Sequence, residues 1–465
     1  MTTSVSEPAA ATAWRVPWAA TETLLVAAGS AAAVGVVARS PGLIAAGCGV
    51  FFAVLVTLRF ELFLLGALAV RAALDHFRTG SIFSPATVLG AAVLVLVFGT
   101  EFLARVQGRP RRLLSAPFRL PLQILLIAGV LSMAASTSRK DSAVEVLRIA
   151  GVLAMIIALE RLLVTLDVAR RVLVAVFVSA LVPMGFALLQ VAQGQGRLIG
   201  GFSRITGTFL HPSPFSIYLA LLIVMAVALL PHVDGFARWA LGAGAVVAGG
   251  CLLLTYTRGS WIALVVGLLV VGFLQSRRLA LGVLAVIVII ILTVPSVGQR
   301  FADLRAPVKY SGATSNSLIW RVDYWNQVLS LSKDSPILGI GLKGIENSTQ
   351  DAKNAHNDLV RTYVETGILG LAAYLALAVS LLTTARRAVR VKATGWRRGA
   401  AVGFAGTVAS LAVVSLSSNV ITQVVLLWYV AALGMVAVAV TASGTQSEDV
   451  GAADRVSKQD LMKGR

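Results

Sequence analysis

The sequence predicts an all-α polytopic membrane protein of about 12–14 transmembrane helices, with a long extracytoplasmic loop before the last three. Three observations carry that expectation. Of the 465 residues, 57% are hydrophobic and only 13% charged. The mean hydropathy is +0.84, too apolar for a water-soluble core. Apolar runs of about 20 residues, long enough to cross roughly 30 Å of hydrocarbon as helices, recur from end to end. Lipid offers the backbone no hydrogen-bond partners, so these runs are expected to be helices and not strands.

Taken in order, the candidate spans are 20–38, 41–58, 60–75, 82–104, 119–136, 143–164, 170–193, 212–231, 238–256, 259–274, 278–295, 359–384, 398–418 and 420–442. The third is the weakest, being short and carrying Arg71. Basic residues cluster in the short connections: Arg105 to Arg119, Arg161 to Arg171, Arg277 with Arg278, and Arg386 to Arg398. On this threading all four clusters share one side, which the positive-inside rule makes the cytoplasm. The net charge of +19 is thus read as a topology signal and not as a nucleic-acid footprint.

The chain accordingly divides into a cytoplasmic N-terminal tail (1–19), a first set of spans (20–295), an extracytoplasmic loop with an amphipathic helix (296–358), the last three spans (359–442) and a disordered cytoplasmic tail (443–465). The start has no basic segment followed by a cleavable apolar core, so no removed signal peptide is expected. Cys48 and Cys251 each lie inside an apolar run and are expected to be packing residues. Also outside on this threading are the loop from Gly194 to His211 and the turn from Thr257 to Ser260. Nucleotide sugars and ATP are cytoplasmic, so chemistry on the outer face needs a membrane-borne donor.

The outer loop ends in NAHNDLVRTYVETGILG, where a polar start runs into an apolar helix. His356 stands at that mouth, and an imidazole, with an ordinary pKa near 6.5, is suited to take a proton from a sugar hydroxyl at neutral pH. The plain alternative is an interfacial cap. Asn357 could orient a hydroxyl, while Asp358, Arg361 and Glu365 have spacings that suit ion pairs along one helix face. Gly367 and Gly370 would allow close packing. Arg204 and Arg258 are outer arginines flanked by apolar sequence, which suits either an anionic ligand or snorkelling. Upstream of His356, Ile319, Tyr324, Val328 and Leu331 form an apolar stripe with Arg321 and Asp323 near its start.

His-Asn, nine residues, Gly, two residues, Gly resembles the signature loop of the O-antigen ligases and the related Wzy-type polymerases, matched by His356, Asn357, Gly367 and Gly370. The resemblance implies a GT-C-like membrane glycosyltransferase, inverting and without a cofactor, in a bacterial inner membrane with its active site on the extracytoplasmic side. It implies His356 as catalytic base and Arg204 and Arg258 as the groups that bind the donor's diphosphate. Arg321, Asn357, His211 and Asp323 are candidate substrate-contacting or supporting residues. The donor would be a glycan on undecaprenyl diphosphate, the acceptor a glycan, lipid or protein, and membrane lipid the surrounding partner, with no nucleic acid.

No Asp-x-Asp motif or metal-ligand spacing is present in the sequence, so arginines are expected to neutralise the leaving diphosphate in place of a metal. Neither a Walker A motif nor a Gly-x-Ser-x-Gly elbow occurs. Ligase, repeat-unit polymerase and protein O-oligosaccharyltransferase share the signature and stay open as alternatives. A lipid-linked oligosaccharide flippase, a rival of another class, predicts mid-span ionisable residues and two related halves, and the sequence shows neither clearly.

Overall fold

The computed structural model describes residues 59–77, 85–106, 114–199, 201–293, 317–349 and 354–463. The chain divides into two compact units, residues 1–67 and 68–465. Of the first, only the opening of helix α1 (Phe60–Arg71) is described, and the expected spans 20–38 and 41–58 lie outside the described residues.

The second unit is a bundle of helices. Its elements are α2 (Pro85–Val106), α3 (Arg119–Ser132), α4 (Arg139–Leu162), α5 (Leu166–Val178) and α6 (Leu181–Ala192), then a small hairpin of β1 (Arg197–Ile199) and β2 (Phe202–Arg204). There follow α7 (Pro212–Leu229), α8 (Gly235–Leu254), α9 (Arg258–Gln275) and α10 (Arg277–Thr293). After a stretch that is not described come α11 (Ser317–Ser330), α12 (Gly344–Ser348), α13 (Asp358–Arg390), α14 (Trp396–Ser415) and α15 (Val424–Lys463).

Among the described residues, each expected span from 60–75 onward falls largely on helix. Among the described residues, eight helices are long and apolar enough to cross a membrane, and two shorter apolar ones accompany them at Pro85–Gly99 and Arg119–Ala135. The protein is an all-α polytopic membrane protein. The span expected at 170–193 is two helices, α5 and α6, broken at Ser179–Ala180. Helix α15 runs to Lys463, into the segment expected as a disordered tail from residue 443. That segment is polar but contains no proline to end a helix.

Helix starts follow local capping chemistry. Ser138 and Thr165 accept from the backbone N–H groups of Asp141 and Val168, and His211 accepts from Ser213 just before Pro212 in the first turn. Helix α7 is buried on all sides from Phe215 to Met225, whereas α8 buries only Ala248, Cys251 and Leu252. Glycines draw the central helices together. A Cβ on Gly406 would stand 2.8 Å from the Gly267 carbonyl oxygen, and the Ser410 hydroxyl donates to the Ala263 carbonyl at 2.8 Å.

The basic clusters gather at one end. Arg161 pairs with Glu101 at 2.6 Å, Arg119 pairs with Glu160 at 2.7 Å, and Arg398 donates to the Val389 and Leu274 carbonyls. The hairpin, the α8–α9 turn, the starts of α4, α7 and α13, and the loop 416–423 occupy the opposite end, where hydrogen bonds join the hairpin to the α8–α9 turn, the start of α9 to that of α7, and the start of α13 to the loop 416–423.

Candidate functional site

Helix α13 is two helices in one. At Gly367 the backbone turns to φ 67°, ψ −167°, which separates a short opening segment from the long membrane-crossing part. The peptide groups released by the break are taken up by the preceding loop. Ile368 N–H donates to the Pro336 carbonyl, Ile340 N–H to Val364 and Gly341 N–H to Glu365, each at 3.0 Å. Gly339 and Gly341 in that loop also have positive φ, and an added Cβ would press on the α13 backbone at Glu365 from Gly339 and on Ser136 from Gly341. Gly367 therefore serves the break itself and a loop strand, where the sequence suggested packing against a neighbouring helix.

His356 sits immediately before this segment, half-buried, with a left-handed φ of 51°. Both of its neighbours are anchored. The Ala355 carbonyl accepts from the Trp325 indole N–H at 2.7 Å. Asn357 caps α13, its Oδ1 accepting from Leu359 N at 2.9 Å, while its own N–H donates to Asn419 Oδ1 at 3.0 Å. Asp358 does not join an ion-pair row with Arg361 and Glu365. Its carboxylate accepts from Ile421 N at 3.2 Å and from the Tyr374 hydroxyl at 3.1 Å, tying the start of α13 to the loop 416–423. Arg361, only 3% exposed, is matched by Glu365 at 2.9 Å and Glu346 at 3.4 Å and is a structural group.

Arg258 opens α9 and is half-buried. The turn before it bends at Tyr256, φ 50°, and is held by the Trp261 indole donating to the Leu252 carbonyl at 3.2 Å. Next to Arg258, a Cβ on Gly259 would stand 2.6 Å from Ser417 Oγ, so this turn packs directly on the loop 416–423. His356 and Arg258 thus lie on two segments that flank one loop. Arg204, 7% exposed, ends β2. Its hairpin stacks Phe202 on Tyr256 at 4.8 Å, and the Ile205 N–H donates to the Leu254 carbonyl at 3.4 Å, joining it to the same α8–α9 turn.

His211 caps α7 on the same side, and Ser260 and Ser216 share a 2.7 Å hydrogen bond that links the starts of α9 and α7. Burial, with Arg197 and Arg204 nearby, pushes the His211 pKa down to about 4. Its ring is neutral at physiological pH, consistent with Nδ1 accepting from Ser213 N. Unfolding would return the imidazole to its ordinary value near 6.5, so the stability contributed by the neutral ring is complete above about pH 6.5 and is lost as pH falls towards 4. A His211→Asn variant keeps a side chain able to cap the helix. Its melting temperature should fall less than that of the parent between pH 7 and 4.5. Equal acid sensitivity would remove His211 from the account.

The apolar stripe of α11 is buried as expected: Tyr324 and Val328 pack with Ile345, Ala355 and Val364, and Leu331 lies against them. Ile319 belongs to the helix, but its side chain lies outside the described residues. Arg321 stands one turn before Trp325 on this side of the helix, half-buried, and burial lowers its pKa. Asp323 is exposed on another face, away from the stripe.

The Arg204 hairpin, the His211 cap, the Arg258 turn and the His356–Asn357 segment thus lie at one end of the unit, while Arg321, on α11, is half-buried and Asp323 is exposed. Sequence reading missed Ser417 and Asn419, which couple the Arg258 turn to the His356 segment. Their signal is the polar run SSN between two apolar runs, which reads as an ordinary turn. Among the described residues, no group of three or more His, Cys, Asp or Glu is placed to hold a metal ion.

Residues 243–375 match the family model described as O-antigen ligase. The match runs from α8 through Arg258, Arg321 and His356 to beyond Gly370, and leaves Arg204 and His211 upstream. No curated protein matches the chain.

Proposed function

We propose, from the O-antigen ligase domain over residues 243–375, that this multi-pass membrane protein is an inverting glycosyltransferase that moves a glycan from undecaprenyl diphosphate to an acceptor hydroxyl on the extracytoplasmic face of a bacterial inner membrane. The family is of ligase and polymerase type, with a lipid-linked glycan and an acceptor as its partners in general. The observation that carries the finer reading is that the Arg258 turn and the His356 segment flank the same loop, with the Arg204 hairpin stacked on the first.

In this reading the guanidinium groups of Arg204 and Arg258 hold the diphosphate through paired, charge-assisted hydrogen bonds. The His356 imidazole takes the proton of the acceptor hydroxyl. The acceptor oxygen then bonds to the anomeric carbon from the face opposite the diphosphate, while the bond from that carbon to the phosphate oxygen breaks. The electron pair leaves with the lipid diphosphate, whose charge the arginines stabilise. A cavity of about 670 Å³, lined between α13 and α14 by residues from Asp358 and Tyr374 to Arg386 and Arg390, is long and apolar enough for a prenyl chain.

The test is transfer by the purified full chain in proteoliposomes, supplied with a lipid-diphosphate glycan. Arg258→Ala and Arg204→Ala should each reduce transfer by about 10²–10³-fold, the usual loss when one group that stabilises developing charge is removed. Transfer at the parental rate in both would reject the diphosphate assignment. Offering a glycolipid, a second lipid-linked repeat and a protein separately distinguishes ligase, polymerase and O-oligosaccharyltransferase activity.

A further inference from the structure

His356 shares its left-handed φ with Tyr256 and Lys343, the other non-glycine residues of that kind among the described residues. For an L-residue this conformation is disfavoured, and it persists only where the surroundings over-determine it. The segment around His356 meets that condition. Asn354 accepts from the Arg361 guanidinium, the Ala355 side chain is fully buried against Tyr324, Val328, Ile345 and Val364, and the Asp358 carboxylate accepts from Ile421 N.

A peptide unit is planar, so φ and ψ of residue 356 are set by the planes of the two units that flank it. One hydrogen bond from a distant part of the chain fixes each plane. The unit before His356 contains the Ala355 carbonyl, which accepts from Trp325 Nε1 at 2.7 Å across 30 residues of sequence. The unit after it contains the Asn357 N–H, which donates to Asn419 Oδ1 at 3.0 Å across 62 residues. Asn419 is 7% exposed, and its Nδ2 finds no hydrogen-bond partner among the described residues. A buried donor left unsatisfied is costly. What this side chain contributes is therefore its oxygen, the atom that holds the Asn357 N–H.

We infer that Trp325 and Asn419 are positioning residues, which together hold the His356 backbone left-handed and so aim its imidazole. That the aimed imidazole acts as a base rests on the function proposed above. The pair works jointly. Once either plane is released, residue 356 can relax to an ordinary conformation, and the remaining bond no longer directs the ring.

The test uses the full chain in proteoliposomes. Trp325→Phe removes the indole N–H and keeps an aromatic ring on α11, and Asn419→Ala removes the acceptor oxygen. Each should lower kcat by about 10²-fold, the loss expected when a catalytic group is displaced by about 1 Å, with KM for donor and acceptor unchanged. The double variant should fall no further than the weaker single variant, whereas independent effects would multiply. Tyr324→Phe is the control. It removes the 3.1 Å contact between the Tyr324 and Thr349 hydroxyls from the same helix and should leave kcat as it was.

A second readout needs no transfer. Carbethoxylation of His356 by diethyl pyrocarbonate, followed by mass spectrometry against the exposed His76, should speed up several-fold in Trp325→Phe and Asn419→Ala but not in Tyr324→Phe. Should Asn419→Ala not fold, Trp325→Phe decides by both readouts. Parental kcat in the single variants, losses that multiply in the double variant, or an unaltered modification rate overturns the inference. Modification rates that shift as expected in a protein that transfers no glycan uphold the positioning of His356 and count against the glycosyltransferase reading alone.

Discussion

Replacing Gly367 with alanine will destabilise the protein on the order of 3 kcal/mol or more, and will detach the loop that precedes His356. The conformation at this residue, φ 67° and ψ −167°, is one that only glycine adopts without strain. Space is lacking as well. An added Cβ would fall inside the van der Waals shell of the Ile337 carbonyl and the Leu338 nitrogen. Neither can retreat, because Pro336 and Ile340 are pinned to α13 by hydrogen bonds at Ile368 and Val364. Gly395 is the control. Its φ is also positive, at 56°, but an added Cβ there would meet no atom within 4 Å, so Gly395→Ala meets backbone strain alone and should cost less than Gly367→Ala, on the order of 1–3 kcal/mol. Thermal unfolding in detergent, with limited proteolysis between residues 331 and 349, separates the two. Equal melting temperatures for both variants would mean that the break in α13 does not depend on glycine.

Much of this architecture was legible because lipid enforces a simple code. A run such as PFSIYLALLIVMAVAL has to satisfy its backbone internally, and it becomes helix α7 with almost every side chain buried. The stripe of Tyr324, Val328 and Leu331 was legible for a similar reason, since helical spacing reports which face is buried. The break at Gly367 was not, because TYVETGILGLAAYLAL keeps a helical apolar pattern on both sides of it. Asp358 was misjudged because spacing suggested Arg361, three residues on, whereas its partners are Tyr374 and a backbone group 63 residues away. The pairing of Asn357 with Asn419 is equally remote, 62 residues apart in the chain. Local periodicity contains no trace of such links. That is why the motif residues could be named from the sequence while the loop that joins them could not.

His356→Asn is the sharpest test of the chemistry. Asparagine tolerates the left-handed backbone at φ 51° better than most residues, and the anchors at Ala355 and Asn357 are main-chain or neighbouring groups that the substitution leaves in place. The fold and melting temperature should therefore be kept. Asparagine cannot accept and release a proton, so transfer should fall by about 10²–10⁴-fold, the range for removal of a general base. The pH profile adds a readout that a purely structural role would not move. With a base at His356, transfer by the parent declines on the acid side as the imidazole becomes protonated, and the residual rate of the asparagine variant lacks that limb. The other histidine of the site would not supply that limb, because burial, Arg197 and Arg204 lower the His211 pKa to about 4, which makes it a weaker base that becomes protonated only at lower pH. An asparagine variant that retains the parental rate, or the parental acid limb, would take His356 out of the reaction.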